Sequence, residues 1–301
     1  MGLVLGPHQY GKAESRVVRI YRDTARHEIR DVTVSTSLRG DFADAHLAGD
    51  QSKVLPTDSQ KNTCFAYAKQ KGIGEVENYA LGLARHFVDD VPSVSGARVA
   101  VDNLAWERIP VDGRGHDHSW VRKGQEVRTT VVTVEGTGEE QQAWVVSGLK
   151  ELVLLKSTGS EFSGFLKDEY TTLAETHDRV MATSLVARWR YGRLDVDWGT
   201  TYDDVRAILL RTFATVHSLA LQQTLWEMGR AVLAAHPQIA EIRFSAPNKH
   251  HFLVDLEPFG LDNQGEVFFA ADRPYGLIEC SVGRDDGPDE GLAWYTVPGF
   301  I

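Results

Sequence analysis

"ARWRYGRLDVDWGTTYDDVRAILLRTFATVH", residues 187–217, decides the fold. Its first part alternates. Trp189, Tyr191, Leu194, Val196 and Trp198 keep period two across Gly192-Arg193, the signature of a strand with one face buried. Its second part changes period: Val205, Leu209, Phe213 and Val216 fall on one helical face. A second amphipathic helix follows in "ALQQTLWEMGRAVLAAH" (220–236), with Leu221, Leu225, Met228 and Val232 on its stripe. "EIRFSAP" (241–247) and "KHHFLVDL" (249–256) then read as strands. "AWVVSGLKELVLLKST" (143–158) supplies a strand on the other side. The order is strand-strand-helix-helix-strand-strand.

The same order precedes it. "SRVVRIYRD" (15–23) and "DVTVSTSLRGDF" (31–42) read as an antiparallel pair, with Val32, Val34 and Leu38 alternating against polar partners. "PTDSQKNTCFAYAKQKG" (56–72) opens with Thr57 followed by Gln60, a capping-box spacing that predicts a helix start. "EVENYALGLARHFVDDV" (75–91) places Val76, Tyr79, Leu83 and Phe87 on one face. Strands follow around "SGARVAVDNLAWERI" (95–109) and "SWVRKGQEVRTTVVTVEG" (119–136). The acidic, Gly-rich "EGTGEEQQ" (135–142) is the expected junction. Two tandem units, 1–138 and 139–301, are therefore expected, repeated in element order rather than residue identity. Antiparallel sheets with helices on one face make the class α+β. Each unit leaves sheet edges that other copies could close into a barrel.

The chain has 301 residues, 42% hydrophobic and 25% charged, which is ordinary globular composition. Lys+Arg 32 against Asp+Glu 42 gives a net charge of −10, which argues against a nucleic-acid surface. Cys64 and Cys280 cannot build a disulfide framework, so a reducing compartment is expected. "MGLVLGPHQYGK" lacks a basic leader and "VPGFI" lacks a Ser-Lys-Leu address. No apolar run reaches the roughly 20 residues of a membrane span. A cytoplasmic protein is the expectation.

Several motifs carry chemistry and a plainer reading side by side. "HDH" (116–118) places two histidines on one strand face, either as metal ligands or as ordinary strand histidines. His250 and His251 alternate sides, so a joint metal role does not follow. "KSTGSEFSGF" (156–165) lacks P-loop spacing, and neither G-x-G-x-x-G nor G-x-S-x-G occurs. Thr57 reads as an N-cap, although a helix N-terminus also offers N–H donors to an anion. Lys12 in "YGKAE" reads as a solvated strand-edge lysine, and Arg179 in "ETHDRVMATS" as a surface ion-pairing residue. Composition and periodicity end there.

As a set, the segments resemble the urate oxidase (uricase) family. The stretches are "QYGKAESRV", "TARHEIRDVTV", "PTDSQKNT", "LKSTGSEFSGFLKDEYTTLAETHDR", "ARWRY", "HSLALQQTLWEMG", "PNKHHFLVDL" and "EVFFAADRPYGLIE", spanning about residues 9 to 280. The resemblance implies two tandem tunnelling-fold units per chain and a homotetramer of stacked barrels, with active sites at subunit interfaces. It also implies oxidation of urate by molecular oxygen with neither cofactor nor metal. Carried over by motif, Lys12, Thr57 and His250 handle protons. Phe162 stacks on the purine, and Arg179 and Gln222 grip its pyrimidine edge. Leu221 and Asn248 complete the pocket, Asn248 on the face taken by oxygen or water. Backbone groups of Thr57 and Asp58 meet the opposite edge. Thr57 is expected to approach Lys12 and Arg179 from a neighbouring subunit. Leu221 stands where the family commonly has a β-branched residue, so a packing adjustment is expected. The missing peroxisomal address points to a bacterial member. Planar Arg and Gln edges suit a flat, donor-rich anion, and an aromatic ring supplies a platform. A lysine can serve as base only where burial or a neighbouring charge lowers its pKa. A metal-dependent oxygenase using "HDH" and His250, and a non-catalytic purine binder, are the alternatives.

Overall fold

The computed structural model describes residues 2–297. The chain divides into two compact units. The first comprises residues 1–148, 190–199 and 288–301; the second comprises 149–189 and 200–287.

In the first unit, β1 (Tyr10–Tyr21), β2 (Glu28–Gly40), β3 (Val94–Val111) and β4 (Arg114–Glu135) follow in that order, each pair antiparallel. A single-turn α1 (Ala43–Leu47) leads to α2 (Thr57–Gln70) and α3 (Val76–Asp90). Helix α2 packs on β1, and α3 on β3 and β4. The predicted stripe of α3 is buried throughout, from Val76 to Phe87. The inward set of β2 is Val32, Val34, Thr36 and Leu38, so a threonine stands where the alternation calls for an apolar residue.

The second unit repeats the scheme. Strand β5 (Gln142–Lys156) enters it at Leu149, and the order is β5, β6 (Met181–Tyr191), β7 (Ile239–Lys249), β10 (Gly276–Gly283). Helices α4 (Trp198–Thr215) and α5 (Leu221–Ala235) lie between β6 and β7, and α5 packs on β7 and β10. A small hairpin, β8 (His251–Leu253) with β9 (Phe268–Ala270), is inserted before β10.

Three sequence expectations are corrected. The alternation through Leu194 and Val196 is not strand: β6 stops at Tyr191, and Trp198 opens α4. An extended chain would separate Tyr191 and Trp198 by roughly 23 Å. Instead their rings meet edge to face at 4.9 Å, because both are buried on either side of a turn. Second, "KHHFLVDL" is not one strand. Asn248 pairs with Gly276 of β10, whereas His251 pairs with Ala270 of β9. The chain changes partner at His250, so Asn248 and His250 do not share a side by strand alternation. Third, Pro56 rather than Thr57 occupies the N-cap of α2, and no side chain caps it. Gln60 is drawn elsewhere.

Candidate active site

The first group of predicted residues lies in the first unit, and a bulge creates it. Lys12 pairs with Thr36, and Ser15 with Val34. Three steps on β1 thus match two on β2, which inserts one residue. Glu14 takes φ 55°, a rare left-handed value for a side-chain-bearing residue, and its N–H donates to Ser35 Oγ at 2.9 Å. Ladder partners point the same way. Val17 and Ser15 face the helices, and a regular strand would turn Lys12 away from them. The extra residue keeps Lys12 on the helix side with Thr36.

What Thr36 does there is specific. Its hydroxyl donates to Gln60 Oε1 at 2.7 Å and accepts the backbone N–H of Lys12 at 3.3 Å. Gln60 Nε2 donates to Leu55 O at 3.5 Å. Thr36 and Gln60 are both buried. This brace ties the strand residue Lys12 to the first turn of α2, which carries Thr57 and Asp58. Gly11 belongs to the same contact: a Cβ there would sit 1.7 Å from Thr36 O. Asp58 caps no backbone N–H; its carboxylate accepts from Lys61 Nζ at 2.5 Å and Asn62 Nδ2 at 2.9 Å. Its carboxyl is held below the ordinary value, first by Lys61 and also by the charge of Lys12. Lys12 therefore faces the start of α2 of its own chain, near enough for its charge to act on Asp58. The first-turn N–H groups of α2 have no intrahelical acceptors, and the helix dipole adds positive potential there.

The second group lies in the second unit, on loops. Residues 157–180 connect β5 to β6. Ser160 bridges to Ser218, and Phe162 to Thr176. Glu161 N–H donates to Ser218 O at 2.7 Å, Ser218 N–H to Gly159 O at 2.9 Å, and Arg179 N–H to Ser160 O at 2.9 Å. Thr224 Oγ1 donates to Ser218 Oγ at 2.8 Å, fixing this loop to α5. Three segments are thereby gathered, bearing Phe162, Arg179 and Gln222. The Arg179 guanidinium lies 5.8 Å from the Phe162 ring centre, and its Nε donates to Glu161 O at 3.4 Å. Burial draws the Arg179 pKa downward, yet a guanidinium keeps its charge. Among the described residues no carboxylate pairs with it. This is a desolvated cation beside an aromatic face, the arrangement that takes up a flat anion. Phe165 stacks on Phe162 at 4.8 Å and 15°, covering one face of that ring. Leu221 is buried as the first residue of α5, and Gln222 beside it is exposed.

Asn248 and His250 stand at the end of β7 in the second unit. Asn248 Oδ1 is buried without a hydrogen-bond partner. Such an orphan acceptor calls for a donor from outside the protein, a ligand or a water. The His250 ring lies 5.8 Å from that of Phe252, and its carbonyl accepts from Ala271 N–H at 2.9 Å. Lys12 and Thr57 are thus gathered in one unit, while His250 belongs to the other.

At "HDH", the His116 and His118 rings meet edge to face at 4.4 Å, and Asp117 is taken by Arg26 at 2.7 Å and Arg114 at 3.1 Å. Among the described residues no group of three or more His, Cys, Asp or Glu is arranged to hold a metal ion. No described helix is long and apolar enough to cross a membrane.

Sequence reasoning missed Thr36, Gln60, Glu161, His177 and His217. Thr36 carried a signal, a polar residue in an inward-facing series. Gln60 was read as the partner of a capping Thr57.

The uricase family's sequence model matches residues 8–133 and 145–279. A uricase of Arthrobacter globiformis is 52% identical over 298 residues, covering 99% of this chain and 96% of the relative. One from Emericella nidulans is 37% identical, covering 92% and 96%. The crystal structure of the Arthrobacter globiformis uricase superposes with a TM-score of 0.92 at 51% identity, covering 98% of this chain and 99% of that one. A uricase structure from Bacillus fastidious gives 0.80 at 25% identity, covering 92% and 93%.

Proposed function

The chain belongs to the uricase family and is an oxidoreductase acting on urate, and from that premise we propose how its residues divide the reaction. Two tandem tunnelling-fold units, with the repeat boundary at 138/139, carry the two groups described above. Urate, molecular oxygen and water give 5-hydroxyisourate and hydrogen peroxide, a step in purine degradation that runs without cofactor or metal. The observation that carries the assignment is the half-buried Arg179 guanidinium beside Phe162, with which no carboxylate pairs among the described residues.

Phe162 offers its free face to the purine ring. Arg179 and Gln222 hold the pyrimidine edge, and Leu221 closes the pocket beside them. The N–H groups of Thr57 and Asp58 and the Thr57 hydroxyl meet the opposite edge, where a helix N-terminus favours an anion. Lys12 takes the proton, relayed through Thr57 and His250. Oxygen or water binds over the ring at Asn248, whose Oδ1 lacks a partner. The electron-rich urate anion gives electrons to oxygen directly.

The protein acts in the cytoplasm as a homotetramer, each site combining Lys12 and Thr57 of one chain with Arg179 of another. Exposed apolar residues on the β8–β9 hairpin, among them Phe252, Leu253 and Phe269, support association. Loss of urate absorbance with peroxide release, using dialysed and chelator-treated protein, tests the reaction. Activity that disappears with the metal and returns with one metal would favour the metal-dependent alternative. Mixing Lys12→Met and Arg179→Ala chains tests the shared site. Hybrids should regain activity, and hybrids that form but stay inactive would refute it.

A further inference from the structure

Glu161 has no contact with urate in the reading above, yet it joins all three segments that grip the ring. Its backbone binds Ser218 and Arg179. Its carboxylate reaches His217 Nε2 at 2.6 Å and His177 Nδ1 at 3.1 Å. His177 lies two residues before Arg179, His217 five before Gln222, and Glu161 itself precedes Phe162.

We infer that Glu161, with His217 and His177, is a positioning residue that sets the spacing of Arg179, Phe162 and Gln222 and so governs urate affinity. The inference rests on the site reading above. A purely structural role accounts poorly for the arrangement. The His177 and His217 side chains are 78% and 57% exposed, and exposed pairs contribute little to stability. The loop already holds its backbone through Ser160, Ser218 and Thr176. What the carboxylate adds to these backbone bonds is a side-chain crosslink between loops 157–180 and 216–220. Planar hydrogen-bonded edges tolerate small displacement only, so that crosslink acts on binding.

Urate binding without oxygen, and steady-state kinetics with it, test the inference on full-length protein. Glu161→Ala should weaken anaerobic binding and raise KM on the order of tenfold, with kcat within about twofold. Glu161→Gln keeps size and an acceptor, and should recover at least half of that loss. Glu161→Ala combined with His217→Ala should be no weaker than the worse single variant, the mark of one shared device. Should Glu161→Ala fail to fold, the exposed His217→Ala carries the same criterion. Unchanged affinity in these variants, beside weakened binding in Arg179→Ala, overturns the clamp and leaves the site standing. Unchanged affinity in Arg179→Ala overturns both. Additive losses in the double variant, or a fall in kcat alone, also overturn the clamp.

Discussion

The first strand of each unit carries a glutamate at positive φ and delivers a different side chain two residues before it. In β1 the inward positions step from Lys12 to Ser15, with Glu14 at φ 55°. In β5 they step from Leu149 to Leu152, with Glu151 at φ 59°. Lys12 faces the start of α2, whereas Leu149 is fully buried. The connections differ in the opposite sense. Six residues, Arg22 to His27, join β1 to β2, while residues 157–180 join β5 to β6 and carry Phe162 and Arg179. The positive-φ glutamate occurs in both units. Under the proposed function, one presents a proton-handling amine from a strand and the other grips the ring from loops. The supports follow the same division. Lys12 is braced by a buried, uncharged chain through Thr36 and Gln60, and Arg179 by loops crosslinked through a charged group near the surface.

The largest expected effect falls on the payload of the first bulge. Lys12→Met should lower kcat by about 10²- to 10⁴-fold, the range for general acid–base groups, with KM changed far less. Near-normal turnover in a folded protein would reduce Lys12 to a strand-edge lysine and dissolve the contrast between the two strands. Next comes the reverse exchange. Leu149→Lys places an unpaired charge at a buried position and should cost about 3–5 kcal/mol, read as a lower denaturation midpoint. Tolerance of that lysine would show that the two positions offer equivalent surroundings.

Gln60→Leu should act more mildly, leaving the buried Thr36 hydroxyl without its acceptor at a cost of about 1–3 kcal/mol. Turnover should fall more than urate affinity, since the brace serves Lys12 and the Thr57 edge while Arg179, Gln222 and Phe162 keep their hold. Adding Thr36→Val should return part of the lost stability, because the hydroxyl left without its acceptor is then gone, less the cost of freeing the Lys12 N–H that it accepted. Denaturant titration of single and double variants reads this directly.

The smallest effect separates the two supports by pH. Hydrogen bonds from His217 and then His177 hold the Glu161 carboxyl below its ordinary value. Its contribution is therefore complete above the unfolded glutamate pKa of about 4.3, and lost as pH falls through the lowered folded value. His217 and His177 are the titratable groups that face its carboxylate, whereas Arg179 Nε meets only the Glu161 backbone carbonyl. Amide protection at Glu161 and Arg179 should drop in that acid range before protection at Lys12 and Gln60 does. Simultaneous loss would mean that the charged and uncharged supports do not differ.

What the sequence determined by itself is whatever repeats within a few residues. The stripe of Val76, Tyr79, Leu83 and Phe87 and the alternation of Val32, Val34 and Leu38 appear in the fold as read, and so does the doubled strand and helix order up to β7; the last strand of the second unit is β10 rather than "KHHFLVDL". The motifs bearing Phe162, Arg179 and Gln222 were legible only through the family resemblance, since periodicity alone read Arg179 as a surface ion-pairing residue; the structure brings their segments together. Only the tertiary structure decided which way Lys12 points, because a bulge is defined by the partner strand and leaves the letters of β1 unchanged. It alone ended β6 at Tyr191, since a turn burying two aromatics keeps the same alternation as a strand burying them. It alone took Gln60 from Thr57, because the competing hydroxyl, Thr36, is 24 residues away in sequence. The Glu161 crosslinks span 16 and 56 residues, and local periodicity carries no information at such separations.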